Sequence, residues 1–269
     1  MSKKDGSLND TDFLDYWNVR GGVSYQYKGE TFYTVTPIPF YYRRRALLLE
    51  FVEPLIKDDS VRDICDFGCG DGWYIKHFGD LYPYKYFYGL DISTSMIECA
   101  KKNAPFAKLQ VSQKGIDFEN TFDLIYAIAV FQHIKDDIIP NIFINIYDHL
   151  KSKATFVFFE ATGFKRSAGN TWYRRNTQEY LGFARDAGFK IEQSRVIAFP
   201  AHRFFERRIA PYFVRFFVNG SDSHERNINA NKTCFFRFLS ALFMNFTRQP
   251  IRPDDGCTDG NSFYILRKL

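Results

Sequence analysis

Three glycines at alternating positions follow a short apolar run, Ile64–Phe67, and constrain the fold of this chain more than any other feature. The glycines are Gly68, Gly70 and Gly72, and a helix-like segment begins directly after them at Trp73. A strand, a glycine turn and a helix bring backbone amides close to a ligand in α/β proteins, because glycine permits tight turns and carries no Cβ. The sequence therefore predicts a ligand-binding turn at the end of a buried strand.

Strand-like and helix-like segments alternate along the chain from residue 62 onwards. Apolar or aromatic runs predict strands at 64–67, 84–90, 108–111, 122–129, 154–159, 190–197 and 262–266. Helical spacing and N-cap chemistry predict helices from Trp73, after Ser93, from Asp136 to Leu150 and from Thr177. The fully apolar run at 122–129 is typical of a parallel strand that is buried on both faces. This alternation predicts an α/β fold with a doubly wound, mostly parallel sheet.

Two segments fall outside this alternation. Residues 1–40 hold a polar stretch and then an aromatic, turn-rich stretch, and we interpret them as an N-terminal arm or lid that precedes a helix at 41–56. Residues 199–261 are too long for an ordinary connection and carry two apolar stripes at helical spacing. We interpret them as an aromatic and basic helical insertion that caps an acceptor site. The core domain is then predicted at 41–198 plus 262–269.

Composition narrows the class of protein. Aromatic residues make up 19% of the chain, which is more than a plain core needs and suggests an aromatic pocket or an apolar surface. The net charge of +5 permits an anionic partner without requiring nucleic acid. The five cysteines form no CxxC pair, the first residues contain no apolar signal segment, and no run approaches the roughly 20 apolar residues of a membrane span. We therefore expect a cytoplasmic protein.

An acidic residue that ends the second predicted strand completes a nucleoside-binding pattern. Asp91 lies about 20 residues beyond the glycines, where a carboxylate accepts hydrogen bonds from both ribose hydroxyls. The glycine spacing is G-x-G-x-G, preceded by Asp66, whereas a dinucleotide site has G-x-G-x-x-G to seat a pyrophosphate. The spacing therefore favours a nucleoside ligand other than a dinucleotide.

This string resembles motif I of the class I S-adenosylmethionine-dependent methyltransferases. Residues 64–72 read Ile-Cys-Asp-Phe-Gly-Cys-Gly-Asp-Gly and match (hydrophobic)2-(D/E)-x-G-x-G-x-G. Residues 89–96, 122–134 and 177–189 resemble the second motif, the fourth strand with its loop, and the late helix of the same family, in the same order. The resemblance implies a seven-stranded Rossmann-like methyltransferase fold and the cofactor S-adenosylmethionine, which leaves as S-adenosylhomocysteine.

The resemblance also implies roles for individual residues. Asp66 and the backbone of the glycine turn would face the methionine end of the cofactor, Asp91 would bind the ribose, and Gln113 would replace the acidic residue that many members place near the adenine amino group. The full set of expected cofactor-binding residues is Asp66, Gly68, Cys69, Gly70, Gly72, Asp91, Ile92, Met96, Gln113 and Ala127. Ile92 and Met96 would contact the adenine ring, and Ala127 would lie beside the sulfonium.

Two residues are candidates for the general base. His133 lies in the loop after the fourth strand, close to the expected acceptor, and the pKa of histidine suits proton removal at neutral pH. Glu160 ends the fifth strand on the same rim and is the second candidate. A purely structural role for either residue stays open, and no metal-binding set of carboxylates stands out.

Aromatic and basic segments indicate where the acceptor binds. Trp172, Tyr173 and Arg174 combine rings with a cation, which suits a sugar ring or an anionic acceptor, although a surface loop that packs its own rings is an equal alternative. Tyr25 and Tyr33 are candidates for a lid over the cofactor. No Asn/Asp-Pro-Pro-Tyr/Phe element follows the fourth strand, which argues against methylation of adenine N6 or a glutamine amide.

Together these observations predict a methyltransferase that acts on a small molecule, with O-methylation of a saccharide or nucleotide-linked sugar favoured and His133 as the base. One alternative is a lipid or quinone methyltransferase whose 199–261 insertion lies on a membrane surface. Another is a non-catalytic binding protein that keeps the fold. The chain would act as a monomer or a homodimer, because the aromatic insertion also suits a dimer surface.

Overall fold

The structure is a computed structural model. It describes residues 14–15, 17–19, 25–27, 30–32, 38–163, 167–168, 173–197, 204–219, 229–230, 233–245, 252–253 and 260–269. The chain divides into two compact units. The first comprises Met1–Gly21, Val52–Val196 and Ile251–Leu269, and the second comprises Gly22–Phe51 and Ile197–Pro250.

Strands and helices alternate through the first unit. The strands, in chain order, are β1 Tyr25–Tyr27, β2 Glu30–Phe32, β3 Asp63–Phe67, β4 Tyr86–Asp91, β5 Lys108–Val111, β6 Phe122–Ile128, β7 Leu150–Thr162, β8 Ser167–Ala168, β9 Tyr173–Arg174, β10 Lys190–Ile197, β11 Arg252–Pro253 and β12 Gly260–Arg267. The α-helices are α1 Ile38–Lys57, α2 Trp73–Leu81, α3 Thr94–Asn103, α4 Ile139–Asp148, α5 Thr177–Asp186, α6 Ala210–Phe217 and α7 Cys234–Asn245. Residues 17–19 are also helical.

The central sheet has the order β11-β10-β12-β7-β6-β3-β4-β5. Strand β3 pairs in parallel with β4 on one side and with β6 on the other, and β4–β5 and β6–β7 are parallel as well. Strand β12 runs antiparallel to β7. The prediction of a doubly wound, mostly parallel, seven-stranded sheet is confirmed, with the two-residue β11 added at one edge. Because the chain moves from β3 first to one side and later to the other, the end of β3 is the topological switch point, where open α/β sheets bind ligands.

A cluster of aromatic rings fills the core on one face of this sheet. Phe143 of α4 lies 5.8 Å from Phe156 and 5.5 Å from Phe158, measured between ring centroids. Phe158 also stacks on Tyr264 of β12 at 4.4 Å. All four rings are fully buried. The packing of this core therefore accounts for part of the high aromatic content of the chain.

Most predicted element positions agree with the structure, and the two ends of one helix do not. This helix, α4, begins at Ile139, three residues after its predicted start at Asp136. Ser93 is the N-cap of α3, because its Oγ accepts a hydrogen bond from Met96 N, as its sequence position predicts. Asn176 and Glu179 form a capping box at the start of α5. The predicted helix to Leu150 is two residues too long, because α4 ends at Asp148 and Leu150 pairs with Phe122 as the first residue of β7.

The described part of the second unit contains the paired strands β1 and β2, most of α1, and the helices α6 and α7. Residues 205–209 form a π-helix that leads into α6. A small apolar cluster is formed by Phe205, Val214, Val218, Ala230 and Phe236. The expected roles of 1–40 as a lid and of 199–261 as an acceptor cap stay predictions. Among the helices that the structure describes, none combines the length and apolar character needed to span a bilayer.

We predict that Phe158→Ala strongly destabilises the first unit. Removing a fully buried ring that stacks on Tyr264 leaves a cavity, and such a change costs about 3–5 kcal/mol. Tyr86→Ala is the control, because Tyr86 is 64% exposed and surface changes stay within about 0.5 kcal/mol. Urea denaturation measures both values. A loss below about 1 kcal/mol for Phe158→Ala would contradict this description of the core.

Candidate active site

The glycine turn is fixed by hydrogen bonds to the end of the neighbouring strand. The backbone N–H groups of Gly68 and Cys69 both donate to the carbonyl oxygen of Leu90, at 2.8 and 2.9 Å. Gly68, Gly70 and Gly72 have φ values of 78°, 54° and 74°, a region that favours glycine. A Cβ on Gly70 would have no protein atom within 4 Å. The turn therefore presents bare backbone to open space.

Asp91 joins this turn to the start of α3. Its Oδ2 accepts a hydrogen bond from Gly70 N at 2.9 Å, and its Oδ1 accepts one from Ser93 N at 2.9 Å. Burial raises the pKa of the Asp91 carboxyl, and the backbone N–H groups of Ser93, Gly70 and Ile92 oppose that rise. The carboxyl group is thus held in one orientation by two backbone segments.

Asp66 lies behind the turn in the body of the sheet. It is 2% exposed, and burial raises the pKa of its carboxyl well above the usual value, whereas the nearby Tyr126 hydroxyl lowers it. Within the described part of the chain, Asp66 Oδ2 and Tyr126 Oη find no hydrogen-bond partner of regular geometry. Asp66 is thus a buried carboxyl with an unsatisfied oxygen.

A cavity of about 390 Å³ opens at the carboxyl ends of β3, β4 and β6, within the size range of small-ligand pockets. Of the predicted cofactor residues, Gly68, Gly70, Asp91, Ile92, Met96 and Gln113 line it. Asp66, Cys69, Gly72 and Ala127 are absent from the lining. Ala127 is fully buried inside β6, and its successors Ile128 and Ala129 line the cavity instead, because the strand extends to Ile128.

Part of the cavity wall comes from the N-terminal segment. Leu14 and Trp17 line the cavity, and Asn18 fixes this segment to the start of α3. Thr94 N donates to Asn18 Oδ1 at 3.0 Å, and Ser95 Oγ donates to Asn18 O at 2.8 Å. The sequence offers no periodic or motif signal for this contact, so Trp17 and Asn18 were not predicted.

His133 lies in the turn that follows β6. It ends a short 3-10 helix, Phe131–His133, and its half-buried ring lines the cavity. The ring meets Trp17 edge to face at 4.7 Å between centroids, and its Nε2 lies 3.2 Å from Gln132 Nε2. Ala129, which starts the turn, has a φ of 59°, which is strained for a residue with a side chain. The structure therefore brings His133 to the same cavity as Gly70 and Asp91.

Glu160 contacts this turn from below and does not line the cavity. Its fully buried carboxylate accepts hydrogen bonds from three successive backbone N–H groups, those of Val130 (2.8 Å), Phe131 (2.7 Å) and Gln132 (3.1 Å). Burial raises the pKa of Glu160 to about 7, and these N–H groups and Arg175 oppose the rise.

Arg175, which the sequence reasoning missed, binds the same turn. Its fully buried guanidinium donates to Phe131 O at 2.7 Å, to Ile134 O at 2.6 Å and to Asp136 Oδ1 at 2.8 Å. Nothing in the local sequence separates Arg175 from the neighbouring Arg174. Only its place after β9 shows which arginine is buried.

Of the predicted acceptor residues, Tyr173 and Arg174 are described by the structure, and neither lines the cavity. Tyr173 and Arg174 form β9, and the Tyr173 ring lies 5.6 Å from the Arg175 guanidinium carbon. Arg174 packs on Gly163, where an added Cβ would lie 2.5 Å from Arg174 Nε. Tyr33 and Trp172 fall outside the described residues, as does the side chain of Tyr25 in β1.

The sheet order and the glycine turn at its switch point define the Rossmann-like methyltransferase fold. A family model described as "Methyltransferase domain" matches residues 40–193, which is more than half of the chain, and the chain belongs to this family. The protein is accordingly a class I methyltransferase that uses S-adenosylmethionine.

Three relatives show how widely this fold is shared. The chain is 28% identical over 215 residues to a malonyl-[acyl-carrier protein] O-methyltransferase of Bacillus anthracis, covering 71% of this chain and 76% of the relative. The O-methyltransferase of a trans-AT PKS multienzyme of Brevibacillus brevis, solved with S-adenosyl-L-homocysteine, superposes with a TM-score of 0.58 at 16% identity, covering 86% and 77% of the two chains. Phosphoethanolamine N-methyltransferase 2 of Haemonchus contortus gives 0.53 at 16% identity, with 85% and 52% covered. At these identities the two structures support the fold alone.

We predict that the stability of the protein falls relative to Glu160→Gln as pH rises. The pKa of Glu160 is raised from 4.5 to about 7, so the folded state keeps the proton over this range while the unfolded state loses it. The stabilisation is complete below about pH 4.5 and is lost as pH rises through about 7. It amounts to up to about 3 kcal/mol.

Urea denaturation of both proteins at several pH values between 4.5 and 8 measures this difference. The control is Glu119→Gln, which removes an exposed carboxyl group. Its difference from the wild type should change little over the same range. A Glu160→Gln difference that is constant with pH would contradict the raised pKa.

Proposed function

We propose that this protein transfers a methyl group to an oxygen atom of a small-molecule or carrier-linked acceptor, with His133 as the general base. The observation that carries the proposal is that the His133 ring lines the same cavity as Gly70 and Asp91. A base for the acceptor and a glycine turn for the methyl donor then share one compartment. This is the arrangement that a direct transfer requires, because reacting groups must lie close together and aligned.

One part of the cavity, formed by the glycine turn and Asp91, suits S-adenosylmethionine. Gly70 leaves open space next to its backbone, and the Asp91 carboxylate is oriented at the cavity edge. We propose that Gly68 and Gly70 contact the methionine end, that Asp91 accepts the ribose hydroxyls, and that Ile92, Met96 and Gln113 surround the adenine. When bound, S-adenosylmethionine supplies a methyl group on a positively charged sulfonium. The roles of Asp66, Cys69, Gly72 and Ala127 stay predictions.

His133 would remove the proton of the acceptor hydroxyl. The Gln132 side-chain amide at 3.2 Å from Nε2 holds the ring, and the orientation of that amide decides which ring nitrogen carries the proton. Trp17 covers the ring edge and restricts access of water. Histidine is the side chain most often used for such a proton transfer.

The acceptor class is proposed from two sources. The Bacillus anthracis relative is an O-methyltransferase by name and favours a carboxyl group on a carrier-linked acyl chain. The saccharide prediction relied on Trp172, Tyr173 and Arg174, and the two of these that the structure describes, Tyr173 and Arg174, do not line the cavity, which removes part of its support. A carboxylate is already ionised at neutral pH and needs no base. The proposed role of His133 therefore places hydroxyl acceptors such as saccharides first and carrier-linked carboxylates second.

We predict that Gly70→Ala weakens S-adenosylhomocysteine binding at least tenfold. The new methyl group would project into the cavity from a backbone with φ 54°. Gly182→Ala is the matched control, because Gly182 of α5 also has nothing within 4 Å of an added Cβ but lies in a helix outside the cavity lining. Calorimetric titration measures both affinities. Wild-type affinity in a folded Gly70→Ala protein would contradict the proposed cofactor position.

We predict that His133→Ala lowers kcat by about 10²–10⁴-fold, the usual contribution of a general base. An acceptor is first found by S-adenosylhomocysteine release from two pools, acyl thioesters with a terminal carboxyl and nucleotide sugars. The fold effect is then measured with that acceptor. S-adenosylhomocysteine affinity should stay within about threefold of wild type.

His77→Ala is the control, because His77 lies on α2, stacks on Trp73 and does not line the cavity. Its turnover should match the wild type. If His133→Ala turns over at a near wild-type rate, the base assignment is wrong. If only the carboxyl thioesters react, the order of the acceptor classes is reversed and no base is required.

A further inference from the structure

The turn between β6 and α4 cannot hold its own shape. It begins at Ala129, whose φ of 59° costs about 1–2 kcal/mol for a residue with a side chain. It then forms a single 3-10 turn, Phe131–His133, and α4 begins only at Ile139. One short turn closes too few hydrogen bonds to fix a side chain by itself. The position of His133 therefore depends on groups outside the turn.

Glu160 fixes the start of this turn through its N–H groups. Three successive amides, those of residues 130–132, point at one fully buried carboxylate. A carboxylate that accepts several backbone N–H bonds forms strong, charge-assisted hydrogen bonds. The backbone of Glu160 is itself fixed in the sheet, because Glu160 lies in β7 and pairs with Ser262 of β12.

Arg175 fixes the same turn through its C=O groups. Its guanidinium donates to the carbonyl oxygens of Phe131 and Ile134, and it forms an ion pair with Asp136 at 2.7 Å. Phe131 is held twice, since its N–H meets Glu160 and its C=O meets Arg175. Arg175 is anchored by its bridge to Thr162 at the end of β7.

Arg175 also acts on Glu160 at longer range. Both side chains are fully buried, and Arg175 acts on Glu160 as a positive charge that favours its ionised form. The rings of Tyr180 and Phe183 lie 5.8 and 6.0 Å from the guanidinium carbon and shield it from water. Buried charges of this kind are strongly destabilising unless they are paired and hydrogen-bonded. A simple packing role would be filled at lower cost by apolar residues.

We propose that Glu160 and Arg175 are positioning residues that hold the 130–136 turn from its N–H side and its C=O side, and so set the place of the His133 ring in the cavity. The inference rests on the proposed role of His133 as the base. It replaces the alternative that Glu160 removes the proton, because all three of its hydrogen bonds go to backbone amides and its side chain is absent from the cavity lining.

The test uses Glu160→Gln and Arg175→Lys in the full chain, with the acceptor found by the release assay. Glutamine keeps the shape of Glu160 but loses its charge and one acceptor oxygen. Lysine keeps the charge of Arg175 but loses the planar guanidinium that donates to two carbonyl oxygens at once. We expect kcat to fall about 10–100-fold, in line with a displacement of about 1 Å. S-adenosylhomocysteine affinity should stay within about threefold, because its proposed contacts come from the ends of β3, β4 and β5 and from α3, outside the 130–136 turn. Glu192→Gln is the matched control, since Glu192 pairs with Arg267 elsewhere on the sheet, and its kcat should be unchanged.

A double-mutant cycle separates positioning from a general loss of stability. If the turn acts through His133, adding Glu160→Gln to His133→Ala should change kcat by less than about twofold. Full multiplication of the two effects would overturn the inference, as would a wild-type kcat in both single variants. If Glu160→Gln does not fold, Glu160→Asp takes its place with the same expectation. A His133→Ala protein with wild-type turnover would instead overturn the proposed function, whatever the Glu160 variants do.

Discussion

The hydrogen bonds between the ends of β3 and β4 are the constraint on which the site depends. Two N–H groups of the turn donate to Leu90 O, and Gly70 N donates to the carboxylate of the next residue, Asp91. Because β3 and β4 are parallel neighbours, their ends lie side by side, and the turn after β3 reaches the last residues of β4. The turn can meet these bonds only with positive φ at Gly70, so the open backbone of the cavity follows directly from strand pairing.

The opposite wall of the cavity rests on a different kind of interaction. There a strained turn is held by one buried anion and one buried cation, Glu160 and Arg175, each hydrogen-bonded to backbone groups of opposite polarity. Burying these charges is costly, and the full set of hydrogen bonds offsets that cost. The two walls therefore differ in origin. The wall with the glycine turn is built from neighbouring strand ends, whereas the turn that carries His133 is held by contacts between residues 28–44 positions apart in the chain.

Sequence patterns located most of the strands and the residues that follow them directly. Asp91 and His133 reach the cavity because each comes at or just after the end of a parallel strand, where side chains converge at one edge of the sheet. Ala127 lies one residue short of the cavity lining, since strand β6 continues until its pairing with β7 ends at Ile128. The sequence makes Glu160 a candidate base because its predicted strand ends on the rim of the site. That position does not reveal that its side chain turns inward to three amides.

The sequence by itself determined the sheet, the glycine turn, the carboxylate at Asp91 and the family of the protein, because these depend on local spacing and on the periodicity of apolar residues. Only the tertiary structure decided that Arg175 and not Arg174 is buried, that Trp17 lines the cavity, and that Glu160 supports the turn. The physical reason is that a buried charge is stable only where hydrogen-bond partners offset the free-energy cost of its desolvation. For Glu160 and Arg175 these partners lie far away in the chain. Local sequence patterns do not indicate which distant residues are such partners. The contacts that hold the turn with His133 could therefore be identified only in the folded molecule.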